Sequence, residues 1–263
     1  MPSGVATRRL EGKVTIVTGG SSGIGRAISL QFAADGAIVI VADVREHPLE
    51  GGAPTVQMIE SGGAVGRYLR TDVSSAADAQ AVVDLAVHEF GKLDVVVNNA
   101  AIYRSKPLLE TTEQDWDDVF AVNLKGVFLL CQSAVRQMLA QEPVEGVRGR
   151  LVNISSQHGM IAAPGDISYG TSKSGVVYIT RQIACDYSAQ GIICNAVAPG
   201  KIRTGSDPWE EEATRVDRAL ARIPLRRLGS PTDVARTVAF LASDEATYVA
   251  GANWLVDGGW TAS

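Results

Sequence analysis

Tyr169 and Lys173 stand four residues apart in a stretch whose pattern predicts a helix over residues 168–189. Side chains at i and i+4 share a helix face, so a phenol and an ammonium can enter one pocket. A free phenol titrates near ~10, too high for a base at neutral pH. A fixed positive charge beside it favours the phenolate and draws it toward the working pH that general acid–base catalysis requires. Ser156, at the end of a predicted strand, adds a hydroxyl that can hold a reacting oxygen against the phenol. Taken alone the Tyr–Lys spacing is common by chance and usually marks a surface pair, and Ser155 and Ser156 both read as strand-end caps. The chemistry therefore depends on what surrounds these residues.

The segment Thr18-Gly19-Gly20-Ser21-Ser22-Gly23-Ile24-Gly25 follows a predicted strand and opens a predicted helix. Glycines there let the backbone turn tightly, approach a pyrophosphate and pack helix against strand. The helix start then offers free N–H groups and the positive end of its dipole to phosphates. Asp43 ends the second predicted strand, 18 residues after Gly25. A carboxylate there accepts both hydroxyls of an adenosine ribose and repels a 2′-phosphate, which favours NAD over NADP. Arg45 pulls the other way, because a guanidinium can pair with a 2′-phosphate.

The elements that must position these groups alternate. Strands are predicted over residues 13–18, 37–42, 64–70, 94–97, 150–154, 193–198 and 253–256. Helices are predicted over 24–35, 55–61, 75–90, 113–141, 168–189 and 231–243. Gly36, Gly62-Gly63 and Gly91 mark helix ends, and Thr112 is the expected cap of the long helix. Alternating βα units with continuously apolar strands predict an α/β fold, a Rossmann-like, doubly wound parallel sheet with helices on both faces. No repeat or linker divides the chain, so residues 10–263 read as one domain behind a disordered lead of residues 1–9. The charged, amphipathic stretch 206–222 suits a mobile flap, set within residues 203–225.

The Gly-x-x-x-Gly-x-Gly spacing is the pattern of the short-chain dehydrogenase/reductase family, which the chain resembles from about Leu10 to its C-terminus. That resemblance implies an oxidoreductase moving a hydride between a nicotinamide dinucleotide and a secondary alcohol or carbonyl. Oxidised nicotinamide would add a second positive charge near the phenol. The family's Ser–Tyr–Lys set maps to Ser156, Tyr169 and Lys173, the interval of 13 residues selecting Ser156 over Ser155. Asn123 matches the family asparagine that supports a water-linked proton path to the lysine; its plain reading is a core amide bonded to backbone. Gly19, Ser21, Ser22, Gly23, Ile24 and Gly25 are implied to hold phosphates and ribose. Members that prefer NADP often carry a basic residue where this chain has Ser22. Asp72-Val73 would contact adenine, and Asn98-Asn99-Ala100-Ala101 resembles the family's N-N-A-G, with Ala101 in place of glycine. Pro199-Gly200-Lys201-Ile202-Arg203-Thr204 resembles P-G-x-I-x-T, with Ile202 and Thr204 holding the carboxamide. Val256-Asp257-Gly258-Gly259 matches the closing signature, which implies a homo-oligomer, most often a tetramer.

The 263 residues, 46% hydrophobic and 20% charged, supply a full core. A net charge of −5 leaves no basic stripe for nucleic acid. His47, His88 and His158 do not cluster, so no metal site is expected. Cys131, Cys185 and Cys194 lack CxxC spacing and read as buried thiols of a reducing compartment. No apolar run looks long enough to span a bilayer and no signal peptide is visible, which predicts a cytoplasmic protein with no membrane partner. Gln157, His158 and Arg104 flank the chemistry with polar groups, as do Lys201 and Arg203. Such a pocket suits a polyol, sugar or sugar acid better than a steroid or acyl chain. Reduction of 3-oxoacyl or other ketone substrates, epimerase-like chemistry, and a non-catalytic NAD-binding role are the alternatives.

Overall fold

Seven short strands pair in parallel in the order β3–β2–β1–β4–β5–β6–β7. They are β1 (Val14–Thr18), β2 (Ile38–Asp43), β3 (Gly66–Arg70), β4 (Val95–Asn98), β5 (Gly149–Ile154), β6 (Ile192–Pro199) and β7 (Asn253–Val256). The computed structural model describes residues 8–205 and 213–262. Its helices are α1 (Gly23–Ala34), α2 (Thr55–Ser61), α3 (Ala76–Phe90), α4 (Glu113–Phe120), α5 (Gly126–Leu139), α6 (Ile167–Tyr187), α7 (Ala213–Arg222) and α8 (Pro231–Ala242).

Alternation along the strands divides the core in two. Val17, Val39, Val41, Val97 and Val152 pack with Ile28 and Phe32 of α1 and Val234 and Val238 of α8. Their neighbours Ile16, Ile40, Val96 and Leu151 pack on the other face with Val82 and Val83 of α3, Leu130 and Met138 of α5, and Val176 of α6. β1 and β6 are buried at every position, which is why these strands read as unbroken apolar runs.

Helix ends follow local chemistry. Ser75 accepts from the Asp78 N–H at the start of α3, and Gly91 closes it at φ +77°. Thr112 with Asp115, and Ser230 with Asp233, form reciprocal capping boxes at α4 and α8.

Three expectations need correction. The long helix 113–141 is α4 and α5 joined by a five-residue π turn, Ala121–Lys125, and it stops at Leu139. This continuous stretch, Glu113–Leu139, is long and apolar enough to cross a membrane by length and composition, contrary to the sequence reading. Its apolar positions are nonetheless spent on the core, where Val127, Leu130, Cys131, Ala134 and Met138 lie against the sheet. Cys131 and Cys194 are buried, but Cys185 is exposed, because it falls on the outer face of α6. Of the proposed lead, Arg9 pairs with Glu245 at 3.3 Å and Arg8 with Glu11 at 3.4 Å, while residues 1–7 lie outside the described set. Residues 206–212 of the expected flap lie outside it too; its remainder contains α7.

Candidate active site

The chain runs from β1 outward to β3, then returns to place β4 on the opposite side of β1. A crevice opens at such a reversal beyond the carboxyl ends of the strands. Gly19, Asp43, Asp72, Asn99, Ser156 and Pro199 stand at or just beyond six of those ends.

Asn99 ties the two sides of the crevice together. Its Nδ2 donates to the carbonyls of Thr18 (2.9 Å) and Gly19 (3.2 Å), while the Thr18 hydroxyl accepts from the N–H groups of Asn99 and Ala100. Gly19 (φ +62°) and Gly23 (φ +51°) hold left-handed conformations that side chains resist. A Cβ on Gly25 would collide with the Gly19 carbonyl and the Asn99 amide. Ala101 is exposed and is not among the positive-φ residues, so the missing glycine costs no strain.

Asp43 accepts from the Ser21 N–H (3.1 Å) and the Arg45 N–H (3.2 Å), which fixes its carboxylate beside the glycine turn. Asp72 is held by its own turn, accepting from the backbone and hydroxyl of Ser74, and Val73 is buried against Gly126. Ile202 is buried, Gly200 N–H donates to Val256, and Thr204 lies 3.4 Å from the point where a Cβ on Gly23 would stand. Ile24 packs at the edge of the α1 core.

Glu50 is a participant the sequence reading missed. It accepts from the N–H of Gly23 at 2.9 Å, and Leu49 N–H donates to the Ser22 hydroxyl at 2.8 Å. These partners are 27 residues apart in sequence, so no local pattern announces them.

At the other end of the crevice, α6 presents Tyr169 and Lys173. Lys173 is buried and its Nζ donates to the Ile154 carbonyl at 2.8 Å. Burial pushes the Tyr169 phenol up to about 12, only partly offset by a hydrogen bond from Ser156, with Asp166 adding to the rise. Burial pushes the Lys173 ammonium down to about 8. Desolvation is therefore the largest effect at both groups, and the expected fall of the phenol toward working pH rests on two positive charges acting together, Lys173 and oxidised nicotinamide.

Asn123 is fully buried inside the π turn. Its amide both accepts from and donates to the backbone of Ile102 (2.8 and 2.9 Å) and reaches the Ser172 hydroxyl at 3.4 Å. Ser172 in turn donates to the Tyr169 carbonyl at 2.7 Å. The widened turn thus links the segment after β4 to the helix carrying the tyrosine.

Beside them lies a buried polar group. His158 Nδ1 stands 2.5 Å from Asp166 Oδ2, and its Nε2 stands 3.3 Å from Gln157 Nε2. Gln157 Oε1 and Asp166 Oδ1 are buried without a protein partner. The Tyr103 ring meets Tyr169 edge-on at 5.0 Å. Arg104 is placed otherwise than expected, since it forms an exposed ion pair with Asp118 at 2.9 Å. Arg203 is exposed, and Lys201 lines, with Ile202, Pro224, Leu225 and Gly258, a cavity of about 540 Å³. Among the described residues no His/Cys/Asp/Glu cluster could hold a metal.

Residues 19–261 match the family described as enoyl-(acyl carrier protein) reductase. The chain is 41% identical over 251 residues to the 3-oxoacyl-[acyl-carrier-protein] reductase FabG of Thermotoga maritima, covering 95% of this chain and 98% of that one. It belongs to the short-chain dehydrogenase/reductase family. Another member, glucose 1-dehydrogenase 2 of Bacillus subtilis, is 37% identical with 96% of each chain covered. A crystal structure from Agrobacterium tumefaciens, assigned as a 2-deoxy-D-gluconate 3-dehydrogenase with bound NADP, superposes with TM-score 0.87 at 36% identity, covering 98% of this chain and all of that one.

Members of this family bind a nicotinamide dinucleotide, and the residues present fit one. The glycine positions leave a cradle that side chains would fill, and the buried Ser21 hydroxyl has no protein partner. Asp43 and Asn99 are fixed on either side of it.

Proposed function

We propose that this short-chain dehydrogenase/reductase oxidises a secondary alcohol of a polyol, sugar or sugar acid with NAD. The observation that carries the reading is the buried Gln157–His158–Asp166 group, which lies between Ser156 and Tyr169 in the chain and packs beside them. Burying that much polar surface next to an acyl-binding wall would cost several kcal/mol, on the order of 1–3 per unsatisfied group. Hydroxyl-rich substrates suit such a polar wall better than an acyl chain does.

Ser156 holds the substrate oxygen, and Tyr169 takes the hydroxyl proton as the carbon loses hydride. When bound, oxidised nicotinamide supplies the hydride acceptor. Lys173, its ammonium 5.7 Å from the Tyr169 ring centre, favours the phenolate and positions the ribose. Asn123 holds the π turn and, through Ser172, the first turns of α6. Gly19, Ser21, Ser22, Gly23, Ile24 and Gly25 take the phosphates. Asp43 selects the unphosphorylated ribose, Asp72, Val73 and Ala100 frame the adenine side, and Pro199, Gly200, Ile202 and Thr204 hold the carboxamide.

A second reading, reduction of a 3-oxoacyl group, draws on the 41% identity to the T. maritima reductase. Comparing kcat/KM for polyols, sugars, sugar acids, apolar secondary alcohols and 3-oxoacyl thioesters, with NAD and NADP, separates the two. Highest values for polyols, sugars or sugar acids with NAD are expected. Preference for thioesters or apolar alcohols overturns the proposal.

A further inference from the structure

The loop between β2 and α2 folds back over the glycine turn and brings a carboxylate to the start of α1. Glu50 accepts from the N–H of Gly23, the first residue of that helix, at 2.9 Å. Leu49 N–H donates to the Ser22 hydroxyl at 2.8 Å, fixing the loop one residue earlier. On its far side Glu50 reaches the loop after β6, its Cβ lying 3.7 Å from where a Cβ on Gly205 would stand. The carboxylate therefore lies across the path from the glycine turn to the Pro199–Gly205 loop. A dinucleotide must follow that path to span the crevice.

We infer that Glu50 is an internal stand-in for phosphate, and that displacing it sets the protein's affinity for the dinucleotide. A free backbone N–H at a helix start, on the positive end of the dipole, is what a phosphate oxygen takes. One N–H cannot donate a full bond to two acceptors, and two anions at one helix end repel. Binding must therefore move the carboxylate into water. The loop is built to let go: Leu49, Glu50, Gly51 and Gly52 are all exposed. Gly51 (φ +81°) and Gly52 (φ +91°) turn the chain with nothing within 4 Å of a would-be Cβ. Displacement thus breaks two hydrogen bonds and disturbs no core contact of these four residues.

This inference rests on the family's use of the glycine turn for a dinucleotide, and it is independent of which alcohol is oxidised. Calorimetric titration of wild type, Glu50→Gln and Glu50→Ala with ADP and with adenosine tests it without turnover and without choosing between NAD and NADP. The ADP Kd is expected to fall about 2- to 5-fold in both variants, the range of an exposed charge at a helix end, while adenosine affinity stays unchanged. An ADP Kd that is unchanged, raised, or beyond detection in all three proteins overturns the inference. So does an equal gain for adenosine, which would mean that the loop blocks the site by bulk rather than by charge.

Discussion

The ammonium of Lys173 stands 5.7 Å from the centre of the Tyr169 ring and is anchored by the Ile154 carbonyl at 2.8 Å. Burial disfavours the charged form of both groups, so the protein keeps these two ionisable groups at the expense of its own stability. A fall from 10.5 to about 8 for Lys173 corresponds to about 3 kcal/mol. Losing the bond to the carbonyl costs on the order of 1–3 kcal/mol. Lys173→Met is therefore expected to abolish most activity yet leave the fold as stable as wild type at pH 7, or slightly more so. Because the folded-state value is depressed, wild type gains stability as pH rises from about 8 to 10.5. The variant's relative stability should then fall across that window and be constant below it. Denaturant unfolding at several pH values reads this; a difference independent of pH would contradict it.

Asp166 raises the phenol's value, and His158 is its close partner. Asp166→Asn removes the charge while keeping an acceptor for the imidazole. The rising limb of the pH profile for alcohol oxidation, which follows loss of the Tyr169 proton, should move to lower pH. An unmoved limb would reduce Asp166 to a structural residue.

Asp43→Ala should narrow or reverse the proposed preference for NAD. Its carboxylate is locked to the Ser21 and Arg45 backbone, so it cannot swing away from a 2′-phosphate. The ratio of kcat/KM for NAD over NADP should drop by about tenfold or more, the order of one charged hydrogen bond. Wild-type turnover that is equal or better with NADP would defeat the assignment and shift weight to Arg45.

Tyr169→Phe should lower kcat by about 10²–10⁴-fold, the usual share of a general acid–base group. ADP binding should be nearly unchanged, because the glycine turn lies at the other end of the crevice. Retained turnover with an unaltered pH profile would remove Tyr169 from the mechanism.

The sheet was legible because parallel strands buried on both faces appear as continuous β-branched runs, such as Val95-Val96-Val97 and Ile192-Ile193. The carboxyl ends of the strands were legible for the same reason, while the residues named there came from the family resemblance and not from the strand pattern. What escaped depends on long-range or irregular contacts. The π turn forms where the Asn123 amide engages the Ile102 backbone, and helical periodicity does not register one extra residue. The His158–Asp166 pair joins residues eight apart through an irregular segment, and Glu50 meets Gly23 across 27. Arg104 was misread because its partner, Asp118, lies 14 residues on, along the exposed side of α4.

The central claim is that hydride leaves a hydroxyl-bearing carbon of a polyol or sugar for the nicotinamide while Tyr169 takes the proton. A polyol deuterated at its carbinol carbons, incubated with NAD and wild-type protein, tests both halves when the reduced dinucleotide is analysed by mass spectrometry. The account predicts reduced NAD carrying one deuterium in place of hydrogen, formed with a primary isotope effect and at least about a hundredfold more slowly by Tyr169→Phe. Reduced dinucleotide without the label, or equal label transfer by the variant, would contradict it.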